Sequence, residues 1–179
     1  MTVKKAHKKS IVLVGLMGAG KTKIGRILAN HLELPFIDAD NAIEEAAGCS
    51  VSDIFEWFGE KAFRDGEKKV MHRLLTEEGQ QVIATGGGAF ISKAVRDDIK
   101  KHAVSIWLKA DLETLIERTS RSDRRPLLQT SESDKILKRL MDERYPIYAQ
   151  ADIHVESSNR SIRSIIKDIE TSLEGTVIF

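Results

Sequence analysis

A single cysteine, Cys49, is all that this 179-residue chain carries, so no internal disulfide can brace its fold. That usage suits a reducing compartment, and the chain reads as a cytoplasmic protein. An excess of charge of one sign is also missing. Lys and Arg number 28 against 27 Asp and Glu, for a net charge of +1, which excludes the broad field that draws in nucleic acid or an anionic membrane surface. No apolar run approaches the roughly 20 residues of a membrane span. Five histidines lie scattered without metal-ligand spacing. Prolines number three, and neither repeats nor low-complexity tracts mark a boundary, so residues 1–179 read as one domain large enough to bury a core. The basic start, MTVKKAHKKS, runs straight into a strand and a glycine turn with no cleavage pattern. It reads as a solvated tail rather than a signal peptide.

Apolar runs alternate with helical patterns, which predicts an α/β fold with a parallel sheet and helices on its faces. Strands are expected at IVLV (11–14), PFID (35–38), VIAT (82–85), VSIWL (104–108) and DIHV (152–155). The first and fourth are nearly continuous apolar runs, as strands buried on both faces are. Helices are expected from Lys21 to about His31, Asn41 to Ala47, Lys61 to Glu78, Lys93 to Lys101, Asp111 to Thr119, Ser133 to Tyr145 and Ser161 to Leu173. Gly48 fits a helix C′ position, and Ser50 with Asp53 fits the start of a helix over VSDIFEWF. The segment Ser120 to Ser133 is polar, basic at its centre, broken by Pro126 and without period. Loops of that length are usually lids, binding loops or linkers.

GLMGAGKT, Gly15 to Thr22, matches G-x-x-x-x-G-K-[ST] between a strand and a helix. Glycines at 15, 18 and 20 permit backbone conformations that turn successive N–H groups onto an anion. The helix opening at Lys21 adds its positive end. Lys21 can then reach the β- and γ-phosphates of a nucleotide, and the Thr22 hydroxyl can bind Mg²⁺.

FIDAD sets Asp38 and Asp40 at the end of the second strand, the edge where open α/β sheets bind ligands. One carboxylate could serve a metal while the other orients or deprotonates an acceptor hydroxyl. Alternatively, Asp40 caps the next helix and Asp38 is merely solvated. Gly86, Gly87 and Gly88 end the third strand, and such a run points to close approach by a ligand or to positive φ. Among the arginines, Arg125 stands in the irregular loop beside Pro126, where it could close over a nucleotide. Arg144 precedes Pro146, which should end or kink its helix. Phe55, Trp57, Phe58 and Phe63 could wall a pocket, although core packing is the default.

Taken in order, GLMGAGKT, DAD, GEKAFR, TGGGA, RPLL and ERYPIY resemble the shikimate kinases, a family of small phosphate-turn kinases related in fold to nucleoside monophosphate kinases. The resemblance spans about residues 11–165. It implies a three-layer α/β/α fold whose five-stranded parallel sheet runs in the order 2-3-1-4-5, with a substrate subdomain at about 40–70 and a lid at about 120–132. The implied reaction moves the γ-phosphoryl group of ATP to the 3-hydroxyl of shikimate, with Mg²⁺ held by Thr22 and, through water, by Asp38. Gly18, Ala19, Gly20, Lys21, Thr22 and Lys23 would surround the phosphates, Arg118 and Arg160 the rest of the nucleotide, and Arg125 would face the phosphates from the lid. Asp40 would contact the shikimate hydroxyls as candidate base. Arg64 and Arg144 would clamp the carboxylate beside Gly86, Gly87 and Gly88. Guanidinium suits that task because its planar fork matches a carboxylate. Asp65 and Gly66 after Arg64, and Lys23 after Thr22, depart from the common pattern, and Asp65 could orient Arg64 or weaken its pull on the substrate carboxylate. A gluconate-type sugar-acid kinase and an ATP-binding switch protein are the competing readings. A monomer without macromolecular partners is expected.

Overall fold

The computed structural model describes residues 9–120 and 131–176. Among them are five strands and seven α-helices: β1 (Ser10–Val14), α1 (Lys21–His31), β2 (Phe36–Asp38), α2 (Ala39–Ala47), α3 (Val51–Thr76), β3 (Val82–Ala84), α4 (Lys93–His102), β4 (Ala103–Lys109), α5 (Leu112–Ser120), α6 (Ser131–Tyr148), β5 (Ile153–Glu156) and α7 (Ile162–Glu174). A short 3₁₀ turn, Ala89–Ile91, precedes α4. The strands form one parallel sheet in the order β2-β3-β1-β4-β5, the order that the family resemblance implies. Parallel neighbours need long crossovers, and the helices supply them.

The central strand explains the core. Ile11, Val12, Leu13 and Val14 are fully buried, so both faces of β1 are covered, and each such side chain contributes roughly 1.5–3 kcal/mol. Register pairs Leu13 with Ala84 on one side and with Ile106 on the other. All five strands therefore present their carboxyl ends on one edge. Helix α1 lies close against the sheet at Gly25, where an added Cβ would stand 2.6 Å from a Phe36 ring carbon.

Local signals set most helix ends. Asp53 N–H donates to Ser50 Oγ at 3.1 Å and Ser50 N–H donates to Asp53 Oδ2 at 3.2 Å, a reciprocal cap for α3. Gly48 closes α2 with φ 72°. The two helices expected between Ser50 and Glu78 are one element, broken at Gly59 by φ 81° and ψ 172° and ending at Thr76.

Two expectations need correction. The cap of α2 is Asp38 rather than Asp40: its Oδ1 accepts from the N–H groups of Asp40 and Asn41 at 3.1 and 3.4 Å. Strand β2 passes directly into the helix, which moves the cap to the last strand residue. Nor does Pro146 end α6, which continues to Tyr148. Tertiary bonds outweigh the lost amide: the Tyr145 hydroxyl donates to Ala110 O and the Tyr148 hydroxyl to Gly87 O.

Candidate active site

At the carboxyl edge of the sheet lies a cleft of about 680 Å³. Its walls come from the turn after β1, the β2–α2 junction, α3, the turn after β3, α5 and α6. The phosphate turn forms one half. Gly18 and Gly20 hold φ of 83° and 95°, values that only glycine adopts without strain. The Lys21 ammonium donates to the turn's own carbonyls, Gly15 O at 2.7 Å and Leu16 O at 2.8 Å. Thr22 Oγ1 donates to Asp38 Oδ2 at 3.1 Å. Asp38 thus divides its labour, one oxygen capping α2 and the other facing the threonine. Hard oxygen donors placed together at a phosphate turn fit the chemistry of Mg²⁺.

Arg118 reaches across from α5. Its guanidinium donates to Gly18 O at 3.3 Å, Ala19 O at 3.4 Å and Ser157 O at 2.7 Å. Ala19 is itself buried, while Gly18, Gly20, Lys21, Thr22, Lys23 and Arg118 line the cleft. Arg160 does not line it. That guanidinium is bound to Asp168 at 2.5 Å and Ser164 Oγ at 2.5 Å. Arg125 and residues 121–130 of the segment expected as a lid lie outside the described residues, while Ser120 ends α5 and Ser131 opens α6.

The other half is built around the three glycines. None of Gly86, Gly87 and Gly88 has positive φ, so close approach rather than conformation explains them. A Cβ on Gly86 would lie 2.7 Å from Asp40 Oδ1, one on Gly87 3.4 Å from Arg144 Nη1, and one on Gly88 2.5 Å from Arg64 Nη2. Three side chains expected to hold a substrate therefore press on three successive residues. All of them line the cleft.

Arg64 is held from its own helix. Its Nη1 donates to Glu67 Oε2 at 2.8 Å, Nε stands 3.6 Å from Glu60 Oε1, and the guanidinium lies 5.0 Å from the Phe63 ring centre. Asp65, the neighbour that could have oriented it, pairs instead with Lys61 at 2.9 Å in solvent, because i and i+4 share a helix face. Glu67 is 2% exposed. Burial pushes its carboxyl above the usual range and the nearby Asp40 charge adds to that, while Arg64 pulls the other way. Nothing in the motifs flagged Glu67, yet its i, i+3 spacing from Arg64 was a readable signal. Thr85, whose hydroxyl donates to Leu13 O at 2.9 Å, also lines the cleft and went unread.

Of the aromatic cluster, Phe63 is buried and Phe55 rests on it with ring centres 4.6 Å apart. Both line the cleft. Trp57 and Phe58 are more than half exposed, at 61% and 64%, so core packing holds for Phe63 alone.

A parallel sheet in this order, with the phosphate turn closing its central strand, places the protein in the P-loop NTPase class. The family model described as shikimate kinase matches residues 17–174, and this chain belongs to the shikimate kinase family. A shikimate kinase from Caulobacter vibrioides is 53% identical over 165 residues, covering 92% of this chain and 82% of its own. One from Paramagnetospirillum magneticum is 54% identical over 151 residues, covering 84% and 77%. Among solved structures, a shikimate kinase from Acinetobacter baumannii in complex with shikimate superposes with a TM-score of 0.86 at 35% identity, over 96% of this chain and 97% of that one. A gluconokinase from Sinorhizobium meliloti reaches a TM-score of 0.58 at 16% identity, a likeness of fold alone.

Proposed function

We propose that the cleft transfers the γ-phosphoryl group of ATP to the 3-hydroxyl of shikimate, giving shikimate 3-phosphate and ADP for the synthesis of aromatic amino acids. The observation that carries this reading is the packing of Asp40, Arg64 and Arg144 on one glycine turn, in the cleft that Lys21 also lines. A carboxylate acceptor and two guanidinium groups converging there suit a small hydroxylated acid.

Arg64 and Arg144 bind the substrate carboxylate and fix the ring against Gly86, Gly87 and Gly88. Asp40 orients the acceptor hydroxyl and takes its proton as that oxygen bonds to the γ-phosphorus. The bond from phosphorus to the β–γ bridging oxygen breaks, and its electron pair leaves with ADP. Lys21 gives up its contacts with the turn carbonyls for the phosphates and neutralises charge as it spreads over the transferring group. Thr22 and Asp38 are the residues that would hold Mg²⁺, which when bound supplies charge neutralisation at the β- and γ-phosphates. Arg118 lies along the nucleotide side, and Arg125 is assigned a phosphate-facing role by its motif alone. Helix α2 with the first part of α3, about residues 40–70, serves as the substrate subdomain of a single domain. A monomer is the working unit that the family resemblance implies. No helix among the described residues is long and apolar enough to cross a membrane.

The test is ADP release from Mg-ATP with shikimate, gluconate, AMP or no acceptor. Strong turnover with shikimate alone supports reaction and clamp together. Turnover with gluconate alone would keep the chemistry and overturn the pocket assignment, and ATP binding without acceptor-stimulated turnover would move the reading to a switch protein.

A further inference from the structure

Tyr148 ends α6 fully buried, although its hydroxyl is polar. Its ring packs among aromatic neighbours, with centres 6.1 Å from Trp107, 6.4 Å from Phe90 and 6.2 Å from Tyr145. The hydroxyl donates to Gly87 O, and the Arg144 guanidinium, one helical turn earlier on α6, stands 3.4 Å from where a Cβ on Gly87 would lie. The end of α6 thus meets the same glycine twice, through the phenol and through the arginine, in the acid-binding half of the cleft. Burial pushes this phenol above its ordinary range, so it stays neutral wherever the enzyme works. A neutral neighbour matters here. Among the described residues no carboxylate pairs with Arg144, whereas Arg64 is paired with Glu67 and Glu60. Arg144 is therefore aimed without being neutralised.

We propose that Tyr148 is a positioning residue for substrate: its hydroxyl ties the end of α6 to the Gly87 carbonyl, so that Arg144, one turn earlier on that helix, and the glycine turn meet the substrate carboxylate as one preset surface. This rests on the proposed function. The neighbouring tyrosine supplies the control. Tyr145 packs on the same Trp107 at 4.9 Å, but its hydroxyl donates to Ala110 O, which lies outside the lining of the cleft, whereas Gly87 is part of it.

Steady-state kinetics on Tyr148→Phe and Tyr145→Phe separate positioning from plain packing. Tyr148→Phe should raise the shikimate KM about five- to tenfold, with kcat within about twofold and the ATP KM unchanged. Tyr145→Phe should leave all three near wild type. Adding Tyr148→Phe to Arg144→Ala should raise the shikimate KM no further, because a group acting through Arg144 has nothing left to aim. An unchanged KM in Tyr148→Phe, or effects that multiply in the double variant, would overturn the proposal.

Should Tyr148→Phe fail to fold, the two tyrosines of the chain can be replaced by 3-fluorotyrosine and read by ¹⁹F NMR. Arg144→Ala should then shift the Tyr148 signal and leave that of Tyr145, and shikimate should shift the Tyr148 signal only while Arg144 is present. A Tyr148 signal indifferent to Arg144 refutes the link. Lack of wild-type turnover with shikimate would fall on the functional reading instead, since the response to Arg144→Ala needs no substrate.

Discussion

The two halves of the cleft are made in opposite ways. The phosphate half is built on one contiguous stretch, Gly15 to Thr22, whose lysine folds back 5 and 6 residues onto its own turn, with Asp38 and Arg118 bracing it from β2 and α5. The acid half is gathered from three distant places, the β2–α2 junction, the middle of α3 and the end of α6, around a glycine turn that contributes no side chain. A contiguous site is held by its own backbone and tolerates changes elsewhere. A gathered site depends on how helices sit relative to one another, so its errors should appear as lost acceptor affinity rather than lost chemistry.

The most severe way to sharpen this contrast is Lys21→Met. Removing the ammonium should lower kcat on the order of a thousandfold, since a preorganised charge on the transferring group is lost. Circular dichroism should show the fold intact, and near-wild-type kcat would end that role for Lys21. Arg144→Ala comes next, with a rise in shikimate KM of roughly ten- to hundredfold from one lost charge-assisted contact. Should only the ATP KM rise, Arg144 belongs to the wrong half. Gly88→Ala probes the gathered half without touching a polar group. Its Cβ would stand within 3 Å of three Arg64 guanidinium atoms, and the displaced arginine should raise shikimate KM about tenfold, a fraction of what a 1 Å misplacement can cost. An unaltered KM would mean that Arg64 can bind from more than one position.

Glu67→Gln should give the smallest change, and its signature is pH. Because burial raises the Glu67 carboxyl in the folded state, the native protein binds more protons there than the unfolded chain does. Stability therefore falls as pH rises from the ordinary glutamate range through the raised value, and the penalty is constant above it. Glutamine lacks that dependence, so the melting temperature of the variant relative to wild type should improve with rising pH across that window. A difference flat in pH would show that Arg64 fully compensates the buried charge.

This contrast also explains what could be read in advance. The phosphate turn, the strand succession and the caps at Ser50 and Gly48 are short-range patterns, and they stood in the sequence as they stand in the fold. Asp38 and Asp40 were recognised as a pair, but which one caps α2 depends on where β2 stops, and two aspartates at i, i+2 look alike. The glycine run was ambiguous between conformation and close approach until Asp40, Arg64 and Arg144 were found against it. Glu67 escaped because the informative motif ended at Arg64, three residues earlier. Tyr148 was read as part of ERYPIY, yet its partner lies 61 residues away, a separation at which no local pattern operates. Asp65 misled for the converse reason: adjacency in sequence puts two side chains on different faces of a helix.

Strand order carries a consequence for how the protein is made. β1 precedes the other described strands in the chain, but its hydrogen-bonded neighbours are residues 82–84 and 103–107. A nascent chain must reach about Trp107 before Val14, the residue ahead of the phosphate turn, gains its partner. Pairing so far apart in sequence is slow to form. The strand that leads into the phosphate turn thus waits on the emergence of some 93 further residues, and during that wait the apolar run Ile11–Val14 is the stretch that a chaperone would most usefully cover.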